Sequence, residues 1–391
     1  MKRSSAVFLI VLLWSSAGQG VPVTFLVTPP AGTDPGATLY LAGNFQGWQP
    51  GDPAWRLQPT VDGRHTLTAD FDEHQGLQFK FTQGSWLSVE KGPGGAEISN
   101  RLHVVSGATT LELKIAAWAD GEPVHRPSTQ TGAVQTLAVP GFLDGRRVWV
   151  YLPPGYAKNP ERHYPVLYMF DGQNVFDDAT SFVGEWQVDE TLERLIAAGR
   201  VAPLIVVAVD NGGGARVHEY TPWPASIQAR SGGGQDHLQQ WVEVLLPHIN
   251  GKFRTLTGPE HTGLAGSSLG GLMSLYGGFA HPEVFGKIGA FSSSLEIAGQ
   301  VLFDFCADQP GQPGTLYTDM GTREAGNLTD NNRNGTDDAI EDLRRLQLIL
   351  QGRGYVGGWD LMVVEAEGAK HNEQAWAWRF PAAAEFLFPA E

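Results

Sequence analysis

One cysteine, Cys306, stands in a chain of 391 residues, so no internal disulfide can form and the fold must be held by packing. Basic residues are scarce: 27 Lys and Arg face 42 Asp and Glu, a formal net charge of −15. A surface of that sign repels phosphate backbones and anionic lipid, which argues against nucleic acid and membrane surfaces as partners. Long apolar runs are lacking as well. The run from Ala6 to Trp14 is about half of the roughly twenty residues that a bilayer span needs, and no second long one follows. Nucleotide-binding loops are also missing, since neither GGGARVHEY nor SGGGQDHLQQ offers G-x-G-x-x-G after a strand or carries G-K-[ST]. His218 and His237, in those stretches, have no second ligand at helical spacing and read as loop histidines rather than metal ligands. There is no internal repeat and no low-complexity tract.

What is present begins with Lys2 and Arg3, the apolar run, then small residues from Ser15 to Gly20. That order is the pattern of a secretory signal, so residues 1–20 are expected to be removed and the protein to be secreted or periplasmic. No cysteine near Gly20 could accept a lipid. Over residues 21–118, short alternating runs such as ATLYLAGNF, LQFKFT and TTLELKIA are broken by Gly, Pro and Asp, which predicts a small antiparallel β-sandwich. A Pro/Gly/Thr-rich stretch, 119–136, reads as a linker. From 137 to 391 buried-type runs (PVLYMF, PLIVVAV, KIGAFSSS, DLMVVEAEG) alternate with amphipathic ones (HLQQWVEVLLPHINGKF, DAIEDLRRLQLILQGRGY). This alternation predicts an α/β domain, a mainly parallel sheet with helices on both faces, whose chemistry sits at the carboxyl ends of strands.

Gly266-Ser267-Ser268-Leu269-Gly270 fits G-x-S-x-G between a plausible strand, HTGLA, and a helix opening at LGGLMSLY. Small neighbours permit a sharp turn that presents the Ser268 hydroxyl at a helix N-terminus. A serine needs an imidazole to take its proton and a carboxylate to hold the imidazole, in the order Ser, acid, His on this architecture. Downstream, His281 ends the helix after the serine, whereas His371 follows a late strand in AKHNEQAW and is the better base. For the acid, TLYTDMGTREAG offers Asp319 inside the strand and Glu324 in the loop beyond it; geometry favours Glu324, and Asp319 stays open. Asp360 opens its strand at the wrong end. Oxyanion donors would be the Leu269 N–H and, after the Asp171-Gly172 turn, the Gln173 N–H. Asn211 and Arg216 lie in a segment after another strand, where Arg216 could line the acyl or alcohol pocket or pair with Glu219 on its rim.

VWVYLPPGY, YPVLYMFDGQNVF, VVAVDNGGGARVHEYTPW, GSSLGGLMSLY, YTDMGTREAG and GAKHNEQAWAWR, in that order, resemble the Putative esterase family. It holds enterochelin-type siderophore esterases, esterase D, feruloyl and acetyl-xylan esterases and mycolyltransferases. The resemblance runs from about Ala133 to the end. It implies an α/β-hydrolase fold and a serine carboxylic-ester hydrolase that needs no cofactor, with Ser268, Glu324 and His371 as triad and Leu269 and Gln173 as oxyanion donors. Carbohydrate-linked esters of feruloyl or acetyl type are the first substrates it suggests, siderophore lactones the next, and acyl transfer a further alternative. The N-terminal blocks LYLAGNFQGWQP, LQFKFTQGSW and EISNRLHVV resemble a starch- or glycogen-binding β-sandwich, which implies sugar stacking by Trp48, Trp55 or Trp86. A different class, a glycan-binding protein with an inactive hydrolase half, would share that feature.

DNNRNGTDDAIE fits the calcium-loop pattern D-x-[DN]-x-[DN]-G-x5-E, with Asp330, Asn332, Asn334, the Thr336 carbonyl, Asp338 and Glu341 as oxygen ligands. A structural Ca2+ there is one expectation; a polar loop leading into a helix with an acidic first turn is the other. Oligomeric state leaves no mark in the sequence.

Overall fold

The apolar runs of the second half all become strands of one eight-stranded sheet. The structure is a computed structural model and describes residues 20–73, 75–96, 98, 100–119, 126–181, 184–224, 232–324, 330 and 334–390. The strands are β1 (Ala133–Ala138), β2 (Arg147–Leu152), β3 (Val166–Met169), β4 (Ile205–Val209), β5 (Thr262–Ser267), β6 (Lys287–Phe291), β7 (Thr315–Gly321) and β8 (Leu361–Ala366). Their order is β1-β2-β4-β3-β5-β6-β7-β8. β1 and β2 join antiparallel, as do β2 and β4, and every later neighbour is parallel. Strands covered on both faces read as unbroken apolar runs. β3 (VLYM) and β4 (IVVAV) are buried at every position.

Helices supply the two covers. On one face lie α2 (Leu269–Ala280), α3 (Asp338–Gly352) and the helical stretch 234–252, joined by Leu238, Trp241, Leu272, Leu343 and Leu346 into one core. On the other, α1 (Val188–Ala197) and α4 (Glu373–Leu387) bury Leu192, Leu195, Trp376 and Phe380 in a second core. His237 is therefore a buried helix residue, not a loop histidine; burial pulls its pKa down to about 4, so it packs as a neutral ring. β1 begins inside the stretch expected to be linker. As an edge strand it exposes most of its side chains and leaves no apolar run to read.

Ahead of this sheet stands the β domain. A four-stranded sheet has the order Gln58–Pro59, His65–Phe71, Val21–Thr28, Thr109–Lys114, and a three-stranded one the order Tyr40–Gly43, Gly76–Thr82, Arg101–Val104. Phe25, Leu41, Phe79 and Phe81 fill the space between, with Phe25 and Phe79 edge to face at 5.2 Å. It is not wholly antiparallel as expected, because its first strand, Val21–Thr28, runs parallel to its last long one, Thr109–Lys114. Alternation reports burial on one face and carries no strand direction. Residues 1–19 and 120–125, parts of the expected signal and linker, lie outside the described residues.

Candidate active site

β5 ends at Ser267 and α2 opens at Leu269; between them Ser268 has φ 57° and ψ −122°, a strained backbone for an L-residue. A Cβ on Gly266 would sit 2.8 Å from the Gly270 carbonyl carbon, so the two arms of the turn pass too closely for any side chain there. Neighbouring backbone holds the strain: the Ser268 N–H donates to Phe291 O at 3.0 Å, and Ser294 N–H donates to Ser268 O at 3.1 Å. The Ser268 hydroxyl lies 3.2 Å from the Ser294 hydroxyl. Leu269 N–H is the first of the helix and has no intrahelical acceptor.

The turn after β3 carries Gln173, whose N–H the sequence offers as the second backbone donor. Asp171 stands at φ 58°, and Gly172–Asn174 forms one short turn of helix that leaves Gln173 N–H without an internal acceptor. A Cβ at Gly172 would meet the Val209 backbone at 2.7 Å, which fixes glycine there. Asn211 and Arg216 brace this turn. Asn211 Nδ2 donates to Asp171 Oδ1 at 2.6 Å, Arg216 grips both Asp171 oxygens at 2.7 and 2.8 Å, and Asn211 N–H donates to Gln173 Oε1 at 3.2 Å. Arg216 therefore pairs with Asp171 and not with Glu219, whose own partner is Arg146 at 2.6 Å.

Glu324, in the loop after β7, and His371, in the loop after β8, meet directly: His371 Nδ1 donates to Glu324 Oε2 at 2.7 Å. Glu324 Oε1 accepts from Ser292 Oγ at 2.7 Å and from Gly321 N–H. Burial alone would raise the Glu324 pKa, but the His371, Ser292 and Gly321 hydrogen bonds and the imidazolium charge outweigh it and hold the carboxyl below its usual value. For His371, burial opposes the charge while Glu324 favours it more strongly, so the imidazole titrates above its usual value. One side of the ring stays open, with 37% of the side chain accessible, and the ring meets Trp376 edge to face at 5.1 Å. No hydrogen bond joins Ser268 Oγ to this ring; such contacts are often long before substrate is bound. Ser268, Glu324 and His371 nevertheless follow β5, β7 and β8 on the same carboxyl edge.

Asp319, the other candidate acid, is fully buried within β7. It accepts from Tyr317 OH at 2.7 Å and from Ser292 N–H at 2.9 Å, and lies 2.9 Å from Arg379 Nε, an ion pair without hydrogen-bond alignment. Burial pushes its carboxyl up to about 6 despite Arg379. Ser292 links the two acids: its hydroxyl accepts from Trp376 Nε1 at 2.9 Å and Arg379 Nη2 at 2.6 Å while donating to Glu324. Sequence reasoning missed Ser292 and Arg379, and also Glu373, whose Oε1 accepts from Asn174 Nδ2 at 3.1 Å. An arginine inside the otherwise apolar WAWRF was the one signal available.

Trp48, at φ 55°, and Trp86 are half-buried, with ring centroids 6.2 Å apart. Trp55 instead tilts against Phe45 at 4.5 Å and Phe71 at 5.9 Å, giving its ring to the sandwich's own packing. In the acidic loop, Asp330 accepts from Asn334 N–H at 3.0 Å and Gly335 N–H at 2.7 Å, and Asn334 Oδ1 accepts from Thr336 N–H at 2.9 Å. Asn334 Nδ2 donates to Glu341, Asp338 opens α3, and Asp337 caps that helix through Ala339 N–H at 3.0 Å. Asn332 lies outside the described residues.

This sheet order, with a strained serine at the β5–α2 turn, defines an α/β hydrolase preceded by a β domain. Residues 143–387 match the family described as Putative esterase; the chain belongs to that family and is a carboxylic-ester hydrolase. YbbA, an uncharacterized protein of Bacillus subtilis (strain 168), is 27% identical over 252 residues, 62% of this chain and 92% of that protein. An alpha-amylase of Niallia circulans is 38% identical over 103 residues, which are 26% of this chain and only 8% of the amylase. The structure of the enterobactin esterase FES from Shigella flexneri, solved in the presence of enterobactin, is similar in fold, with TM-score 0.50 over 93% of this chain and 92% of its own, at 14% identity. Among the described residues no helix is long and apolar enough to cross a membrane.

Proposed function

We propose that this chain is a secreted or periplasmic serine esterase that cleaves carbohydrate-linked carboxylic esters of feruloyl or acetyl type through an acyl-enzyme. The 2.7 Å bond between His371 Nδ1 and Glu324, on the strand-end edge that also carries Ser268, is the observation that supports it most directly. Ser268 Oγ attacks the ester carbonyl while His371 Nε2 accepts its proton, and Glu324 holds the ring and stabilises its charge. The negative oxygen that forms is met by the N–H groups of Leu269 and Gln173. His371 returns the proton to the departing alcohol, then takes one from the water that releases the acid. Trp48 and Trp86 are assigned to the sugar portion; the likeness to an amylase supports that part. Export is read from residues 1–20.

Fluorophosphonate labelling of the full chain with peptide mass spectrometry tests the nucleophile, and a panel of aryl esters, feruloyl and acetyl sugars, siderophore lactones and peptides tests the substrate. Label on Ser268, its loss in Ser268→Ala with activity down on the order of 10⁴-fold or more, and preference for sugar esters are the expected results. Faster turnover of siderophore lactones would keep the chemistry and overturn the substrate. An unlabelled Ser268 in folded protein would leave a glycan-binding protein with an inactive hydrolase half. The 330–341 loop is proposed as a structural calcium clip, and chelation that leaves both Tm and activity unchanged removes it.

A further inference from the structure

Three carboxylates converge where the linker meets the first turn of α1, on the sheet face opposite α3, the helix into which the acidic loop leads. Glu185 and Asp189 are at least nine-tenths buried, Glu190 partly so. Two of them spend one oxygen on the linker: Glu185 Oε2 accepts from Thr129 Oγ1 at 2.6 Å, and Asp189 Oδ2 accepts from Thr131 N–H at 2.7 Å. The remaining oxygens, Glu185 Oε1 and Asp189 Oδ1, together with Glu190 Oε2, are buried and take no hydrogen bond from an N–H or hydroxyl donor, the Asp189 and Glu190 carboxyls lying against each other instead. One oxygen from each residue comes within 4.8 Å of the other two. Acids at a helix N-terminus are ordinary, but such acids normally face water or the helix's own N–H groups. Here buried oxygens face one another, and the charges that act on Glu185 come from Glu190, Asp178 and Asp177, all of the same sign. A buried carboxylate with no donor is strongly unfavourable as a free charge, so this arrangement needs a positive guest or a retained proton.

We propose that Glu185, Asp189 and Glu190 bind a hard divalent cation, calcium in the first place, that ties the linker to the base of α1. All-oxygen, carboxylate-rich donors suit Ca2+ and Mg2+ over softer metals. Oxygens all within 4.8 Å of one another can share one such ion, and the flexible coordination of calcium tolerates their irregular spacing better than the near-octahedral demand of magnesium. Because the same carboxylates hold Thr129 and Thr131, the ion would fix the point at which the linker enters the sheet through β1. The role is structural: none of the three residues touches Ser268, Glu324 or His371 in the contacts described above.

The test uses full-length protein stripped with EDTA and then given calcium chloride or magnesium chloride, read by thermal unfolding and by calorimetric titration. Calcium at about a hundredfold excess over its Kd is expected to raise Tm by roughly 3–5 °C. Asp189→Asn, which keeps an acceptor for Thr131, and Glu190→Gln, at the most exposed of the three, each combined with Asp330→Asn to silence the separate acidic loop, are expected to abolish the shift and the binding heat. Asp330→Asn, in the separate acidic loop, is expected to leave this response in place. No response of the stripped protein to millimolar calcium or magnesium overturns the proposal, because the carboxyls then solve their crowding by keeping a proton. A shift that survives in the combined variants or disappears in Asp330→Asn alone overturns it too, by placing the ion elsewhere.

Discussion

At Glu324 the sign of the pKa shift is decided by three donors acting against burial, and the consequence reaches His371. Only neutral imidazole accepts the hydroxyl proton, so kcat/KM should climb with pH through a midpoint above the ordinary histidine value of 6.5. Glu324→Gln removes the partner that does most to raise the ring's pKa, leaving burial to lower it against only the weaker pull of Glu296 and Glu373. The midpoint should therefore move to lower pH while the plateau falls by roughly 10²–10⁴-fold. A pH–rate profile checks both, and an unmoved midpoint would show that Glu324 does not govern His371. Glu373 works at one remove. It opens α4, two residues beyond His371, and accepts from Asn174 in the turn that carries Gln173, while burial pushes its carboxyl up to about 7. Glu373→Ala should lower kcat by about tenfold through a loosened oxyanion turn. Glu373→Gln, which still offers an oxygen to Asn174, should recover most of that loss, a rescue that kinetics on one ester can read.

At the scale of elements, α4 closes the back of the site by bringing Arg379, 2% exposed in its side chain, against Asp319 of β7 and Ser292 after β6. Breaking a buried ion pair from one side leaves the other charge stranded, so Arg379→Met should cost about 3–5 kcal/mol. Asp319 already titrates near 6 with Arg379 present, and without it the carboxyl moves higher still. A carboxyl whose folded pKa lies above its unfolded value loses stability as pH rises between the two. Urea unfolding of Arg379→Met should therefore show its largest deficit near pH 8 and a partial recovery near pH 5. This layer explains what the sequence could carry. Ser268, Glu324 and His371 are legible because each follows a strand-like run in a short local motif, and strand ends share one edge in a parallel sheet. Ser292 and Arg379 are not, since their contact spans 87 residues and depends on which face of α4 turns inward. Edge strand β1 and the parallel pairing of Val21–Thr28 were hidden for the related reason that pairing partners are set by topology, not by local pattern.

Across the whole molecule, the β domain touches the segment that braces the turn after β3. Gln49 Nε2 donates to Gly214 O at 3.1 Å, and Gly47 lies over Val217, where an added Cβ would come within 3.8 Å of the valine methyls. Arg216 sits between these two contacts and grips Asp171. The domain can thus act as a buttress for the turn, as a sugar-stacking surface through Trp48 and Trp86, or as both, and kinetics separate the two roles. Val217→Asp places an unpaired charge in a site only 7% exposed, so it should destabilise the protein and lower activity on every ester, small aryl acetates included. Trp48→Ala and Trp86→Ala leave the Arg216 clamp alone. They should lower kcat/KM by about tenfold on feruloyl or acetyl sugars, chiefly through KM, and leave aryl acetates within about twofold. Equal losses on both substrate types from the tryptophan variants would make the domain a buttress only, because a surface that stacks sugar has no hold on an ester that lacks one.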